Sequence, residues 1–187
     1  MRDAAISLAV EHLRAGGYRN LSFGEIAVAL GTTRANLHHH FQNKEGLGIE
    51  AIQAYLAAEK ASMEQIIGEN DGDIRALLHA LEQHLIELVS TSSAANPCVM
   101  SQILNDVDAP ESMRQLVLAR CDEEQRSIQR QFAASRCKGP VPKKRSDEDL
   151  AYTVMATMFG IMQMGFMNKG AAGIQKHVSG SLTGILT

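Results

Sequence analysis

Apolar residues recur at three- and four-residue intervals almost throughout this chain, the spacing of one face of an α-helix. No convincing run alternates with the period of a strand. A first helix is predicted over 2–15, with Ala5, Ile6, Ala9, Val10 and Leu13 on one face and Gly16-Gly17 at its end. Ser22-Phe23-Gly24-Glu25 has the form of a capping box and opens a second helix to Leu30, where Gly31 stops it. Thr32-Thr33 offers an N-cap for a short third helix ending near His40, and Asn43 caps a fourth running to about Ile67. Residues 73–90 form an amphipathic helix on Ile74, Leu77, Leu78, Leu81, Leu85, Leu88 and Val89. Asn96-Pro97 caps another helix, and Asp108-Ala109-Pro110-Glu111 opens a long one to about Cys137. A loop at 138–145 leads to Ser146, three acids, and a helix to about Asn168. Gly170 to Gly173 separates that helix from a last one at 174–186. The fold class is all-α, with about nine helices.

Composition narrows the possibilities. The 187 residues suffice for a core without disulfides or metals. At 45% hydrophobic and 21% charged the chain is not disordered. A net charge of −3 means that any nucleic-acid site is a local patch. Three Cys without a C-x-x-C pair form neither a disulfide scaffold nor a zinc ribbon, and a reducing cytoplasm fits. Met1 leads straight into an amphipathic pattern with acids, so no signal peptide is expected.

Residues 22–41 carry the strongest chemical signal. Two short helices join at a tight turn on Gly31, and Leu37 and Phe41 are spaced to pack on Ile26 and Leu30. A helix that reads the major groove presents polar side chains from its N-terminal half. Here those are Thr32, Thr33, Arg34 and Asn36. Arg pairs with guanine and Asn with adenine, while the Thr hydroxyls and the helix N-terminus suit phosphate. The competing reading is an αα-hairpin that merely packs.

The wording of Ile26-Ala27, of Gly31-Thr32-Thr33-Arg34-Ala35-Asn36-Leu37-His38-His39-His40-Phe41 and of Asn43-Lys44-Glu45-Gly46-Leu47 resembles the signature of the TetR/AcrR family of bacterial transcriptional regulators. Gly17-Tyr18 and Ser22 match it too, and the dense resemblance covers residues 4–50. It implies a recognition helix at Thr33–His40 with Thr33, Arg34, Ala35 and Asn36 facing the groove. It also implies phosphate contacts from Lys44 and from His38, which stands where the family usually has a Tyr, with His39 and His40 beside it. That replacement makes a weak pH dependence possible. Gly46 stands where a helix former is usual and is expected to soften the start of the fourth helix. Family members often carry a basic tail before the first helix, and here the chain simply begins. Residues 1–50 hold five basic and five acidic residues, so two copies would have to supply avidity.

Several other features have bland readings. Successive helical residues point about 100° apart, so His38, His39 and His40 cannot converge on one metal. His79 and His84, five apart, are too poorly spaced to share a metal and read as flank residues. The three Cys read as packing residues, with a redox sensor at Cys98 or Cys121 as the alternative. Residues 150–167 lack charge and touch the length of a membrane span, but their small and polar residues favour a buried helix. The resemblance implies that the last two helices form a dimer interface, for which Ala156, Gly160 and Met164 are the candidates. Arg120 and Glu124, four apart, read first as a surface ion pair and second as the rim of a ligand pocket. The residues assigned to that pocket are Met100, Leu104, Val117, Arg120, Glu124, Tyr152, Met155 and Met158. Wider candidates for its polar and apolar groups include Met63, His79, Gln102, Met113, Met162 and Gln163.

No phosphate loop, H-E-x-x-H or G-x-S-x-G motif supports an enzyme, and no metal or cofactor is expected. The sequence therefore reads as a helix-turn-helix DNA-binding domain at 1–46 and an effector-binding and dimerisation domain at 47–187. The expected partners are palindromic double-stranded operator DNA, a second copy of the chain and a small apolar effector, with no membrane. The expected action is repression. A structural helical dimer that binds no DNA is the rival.

Overall fold

The computed structural model describes residues 1–91, 98–167 and 178–187, without the side chains of 165–167. Its described residues are helical and connecting, with no strand. The α-helices are α1 (Arg2–Gly16), α2 (Phe23–Ala29), α3 (Arg34–Phe41), α4 (Lys44–Glu69), α5 (Ile74–Thr91), α6 (Val99–Asn105), α7 (Glu111–Ser135) and α8 (Asp147–Met167). A single 3₁₀ turn follows at Thr183–Leu186.

Expected starts are capped where short polar side chains reach free N–H groups: Ser22 accepts from Glu25 N, Asn43 from Gly46 N and Ser146 from Asp149 N. Asp73 caps α5 in the same way through Ala76 N, whereas the Asp108 carboxylate, expected to open α7, accepts from Arg19 Nε at 2.8 Å instead. The Asn96-Pro97 cap lies outside the described residues. α6 starts just after it, where the Cys98 sulfur accepts from Ser101 N. The last helix, expected over 174–186, needs correction: 174–177 lie outside the described residues, and the chain turns through 179–182. Gly180, at φ 85°, breaks the helical path there.

The chain forms two compact units, Met1–Glu59 with Cys98–Ala119, and Lys60–Pro97 with Arg120–Thr187. In the first, α1 packs on α6 and α2, and α2 packs on α3. Ala5, Ala9, Leu13, Ile26, Leu37 and Leu47 are fully buried there. Asp106 holds the segment after α1: its carboxylate accepts from Arg19 N at 3.0 Å and Asp108 N at 3.0 Å. Burial pushes that carboxyl up, but the two N–H groups and the Arg19 charge outweigh it and hold it below the usual range.

In the second unit, α5 packs on α8 and on the 3₁₀ turn. Glu82, in the apolar stripe of α5, is 1% exposed. Its carboxylate accepts from the backbone N–H groups of Gly180, Leu182 and Thr183 and so replaces the water those donors would need. Arg136 donates to the carbonyls of Pro142 and Arg145 and pairs with Asp147 at 2.7 Å, which fixes the basic loop. No helix among the described residues is long and apolar enough to cross a membrane.

Candidate nucleic-acid interface

The geometry of α3 begins at its turn. Gly31 takes φ 61°, a region that side chains disfavour, and Thr32 N donates back to Ala27 O at 2.9 Å. Thr33 is then extended, at φ −108° and ψ 153°, and its hydroxyl accepts from Asn36 N at 3.2 Å. Leu37 and Phe41 are buried against the unit's core. Thr33, Arg34, Ala35, His38, His39 and His40 are left exposed. Thr32 and Asn36 are half-buried, and the Asn36 amide donates to the Thr32 hydroxyl at 2.9 Å. Asn36 thus enters any base contact already carrying one hydrogen bond.

Arg34 folds back over α2. Its guanidinium lies on Gly24, where a Cβ would overlap it. Ser22, Gly24, Glu25, Val28, Ala29 and Arg34 line an open groove of about 490 Å³. Ser22, which matches the family signature, uses its hydroxyl to cap α2. Lys44 differs from expectation more clearly. Its ammonium sits 4.5 Å from the Tyr18 ring centroid and donates to Arg19 O at 3.3 Å. A cation over an aromatic face has part of its charge already compensated, so Lys44 must leave Tyr18 to meet a phosphate.

The exit from α3 carries features that the sequence did not announce. Gln42 sits at φ 63° and ψ −55°, and Asn43 N donates to Phe41 O at 2.7 Å. This is a γ-turn of the rare, positive-φ kind, a strained conformation. Gly46 explains why it is tolerated: a Cβ there would overlap the Phe41 carbonyl oxygen. Its glycine therefore permits a close backbone approach at the start of α4. His38 spans the same turn, with its ring 4.6 Å from that of Phe23 at 27° and its Nδ1 2.9 Å from Gln42 O. His39 and His40 meet edge to face at 5.6 Å, away from that stack. Phe23 and Gln42 were missed because Phe at the first helical position and Gln after the last one are unremarkable in sequence.

The residues assigned to a ligand pocket divide between the units. Met100, Leu104 and Val117 lie in the first; Arg120, Glu124, Tyr152, Met155 and Met158 lie in the second. Tyr152 is 65% exposed. Arg120 and Glu124 are 8% and 5% exposed, which overturns their reading as a surface pair. Arg120 faces Glu123 at 3.7 Å and Glu124 at 3.9 Å, both beyond hydrogen-bond length, and its Nε has no hydrogen-bond partner. With Lys60, Met63, Glu64 and Ser127 they line a cavity of about 60 Å³ between α4 and α7.

Along α8, Tyr152, Ala156, Gly160 and Met164 are exposed at four-residue intervals, a stripe without charge. Nothing lies within 4 Å of a Cβ built at Gly160. Cys98 is a poor redox candidate: burial pushes its thiol up, away from the reactive thiolate.

Comparison with known proteins bears on the same region. Residues 5–51 match the family model of bacterial regulatory proteins, tetR family. The uncharacterized HTH-type transcriptional regulator YvkB of Bacillus subtilis (strain 168) is 30% identical over 123 residues, 62% of this chain and 61% of that protein. The match therefore spans less than two thirds of that relative. A TetR family regulator from Agrobacterium tumefaciens shares the fold with TM-score 0.85 and 21% identity, over 97% of this chain and 95% of that one. So does the TetR family regulator CifR, as a cysteine mutant complexed with 26 bp double-strand operator DNA. There the TM-score is 0.80 and the identity 20%, over 98% of this chain and 95% of that one.

Proposed function

We propose that this chain, whose residues 5–51 match the tetR-family model, is a homodimeric, cytoplasmic DNA-binding transcriptional regulator, acting as a repressor released by a small-molecule effector. The single observation that carries the DNA reading is α3 itself. It is capped by Thr33 and buried along Leu37 and Phe41, and its N-terminal Thr33-Arg34-Ala35 edge is exposed. Arg34 is the base reader, Thr33 and Asn36 assist, and His38, Lys44 and Ser22 serve the phosphates. Residues 1–46 do the reading and 47–187 the pairing and sensing.

Two-fold pairing through the uncharged stripe of α8 presents two copies of α3, and the operator is then a palindrome. The effector binds among the later helices, where Met63, Met155, Met158 and Met162 are buried and adaptable. The 60 Å³ gap at Arg120 holds about two water molecules. A typical ligand pocket is roughly 300 Å³ or more, so the effector selects a more open state. By linkage, operator DNA weakens effector binding by the factor with which effector weakens DNA.

The test is a mobility-shift assay of the full chain on its flanking genomic DNA, followed by a thermal-shift screen of small molecules. A sequence-preferring shift that an apolar hit reverses supports the whole reading. A folded dimer that prefers no sequence at low salt overturns the DNA reading. Release only by highly charged metabolites overturns the apolar effector.

A further inference from the structure

His38 is held so that one ring nitrogen is left for a ligand. Its ring lies on Phe23, and its Nδ1 faces Gln42 O at 2.9 Å. A carbonyl oxygen only accepts, so Nδ1 carries a hydrogen. The Gln42 carbonyl is fixed in turn by the γ-turn that Asn43 N closes on Phe41 O. The neutral ring is therefore the Nδ1–H tautomer, with a bare lone pair at Nε2. No hydrogen bond engages Nε2 among the described residues, and the side chain is exposed one helical turn beyond Arg34 on the same face of α3. In this tautomer Nε2 repels an anionic oxygen. Only the imidazolium presents N–H there.

The charged neighbours do not supply the proton's stabilisation. On α2, Glu25 faces His12 at 3.7 Å. On α4, Lys44 is turned onto Tyr18 and Glu45 accepts from Ser112. On α3 the other titratable or charged groups are Arg34, His39 and His40, all cationic or neutral. No carboxylate among the described residues pairs with His38. A bound anion must hold the proton itself.

We propose that His38 is a proton-dependent phosphate ligand. It grips the DNA backbone through Nε2–H as imidazolium and lets go as neutral imidazole. This rests on the DNA-binding reading above. A phosphate that favours the charged form raises the bound-state pKa above the free one. The gain in affinity is then complete below the free pKa and lost as pH rises through the bound one. Within that window each His38 costs up to about tenfold in affinity per pH unit, and a dimer carries two.

The experiment uses the full chain and a duplex that it selects from a random-sequence pool at about pH 6, with binding measured at about pH 6, 7 and 8 and at several salt concentrations. Wild type should weaken as pH rises, and its salt slope should become shallower by up to about 0.9 per protomer. His38→Phe should keep the stack on Phe23 and lose both effects. His38→Tyr, a donor at every pH used, should bind with a flat profile. A His39→Ala/His40→Ala variant should titrate like wild type, and melting curves separate misfolding from lost affinity. A His38→Phe protein that folds and follows the wild-type pH profile overturns the inference, as does a pH response that disappears with His39 and His40. A selected duplex bound equally at every pH by wild type overturns this inference alone. Recovery of no duplex overturns it together with the DNA-binding reading.

Discussion

α3 and α8 each leave one face exposed, and the two faces carry opposite chemistry. On α3 the exposed residues are Thr33, Arg34, Ala35 and three His; on α8, beyond the exposed acids Glu148 and Asp149 of its first turn, the described exposed residues are Tyr152, Ala156, Gly160 and Met164. A polar face is solvated on its own and can wait for a charged partner. An uncharged stripe with small residues at its centre gains only by being covered, and close helix approach is what Ala156 and Gly160 permit. The same all-helical fold thus presents one face suited to nucleic acid and another suited to a copy of itself. That contrast underlies the assignment of one function to each.

The largest effect should come from breaking the α8 face. Gly160→Arg sets an unpaired charge where a second helix would pack, which costs about 3–5 kcal/mol when buried. Sedimentation should show monomers. An intact folded dimer moves the interface elsewhere. The next effect lies at the exit of α3. Helix propensity alone favours Gly46→Ala by about 1 kcal/mol. The overlap of the new Cβ with the Phe41 carbonyl oxygen predicts the reverse, a loss of about 1–3 kcal/mol read by thermal or urea melting. A more stable variant would show that the tight turn is not needed to present α3. Thr33→Ala removes the α3 cap and should cost about 1 kcal/mol in the same assay. The smallest effect concerns acid. Because its partners hold the Asp106 carboxyl below the usual range, its stabilisation is present above the ordinary carboxylate pKa and lost as pH falls through the lowered one. Asp106→Asn should flatten the acid limb of the stability profile, and an unchanged limb would remove Asp106 from the account.

The regions also differ in how much of them can be read in sequence. Around α3 the determinants are local. Ser22, Thr33 and Asn43 cap helices three residues ahead of them, Gly31 makes the turn, and Leu37 and Phe41 fall on the buried side. Spacing alone exposes such relations. In the second unit the decisive polar contacts link distant residues. Glu82 meets N–H groups about a hundred positions later, and nothing in the stripe of α5 signals that a carboxylate belongs in it. Arg120 and Glu124 look like a surface pair because their spacing says nothing of what α4 brings against them. The strain at Gln42 was equally hidden. Its clue was Gly46, a helix interrupter placed where only a backbone clash explains it.

In the proposed function the exposed edge of α3 reads DNA bases, and Arg34 is the residue on which that reading depends most. The direct measurement is equilibrium binding of wild type and Arg34→Ala to the operator fragment and to an unrelated duplex at matched salt and pH. Wild type should prefer the operator, and Arg34→Ala should lose about 1–3 kcal/mol of that preference per half-site while remaining a folded dimer with comparable affinity for the unrelated duplex. Unchanged affinity and unchanged sequence preference in Arg34→Ala would contradict the claim.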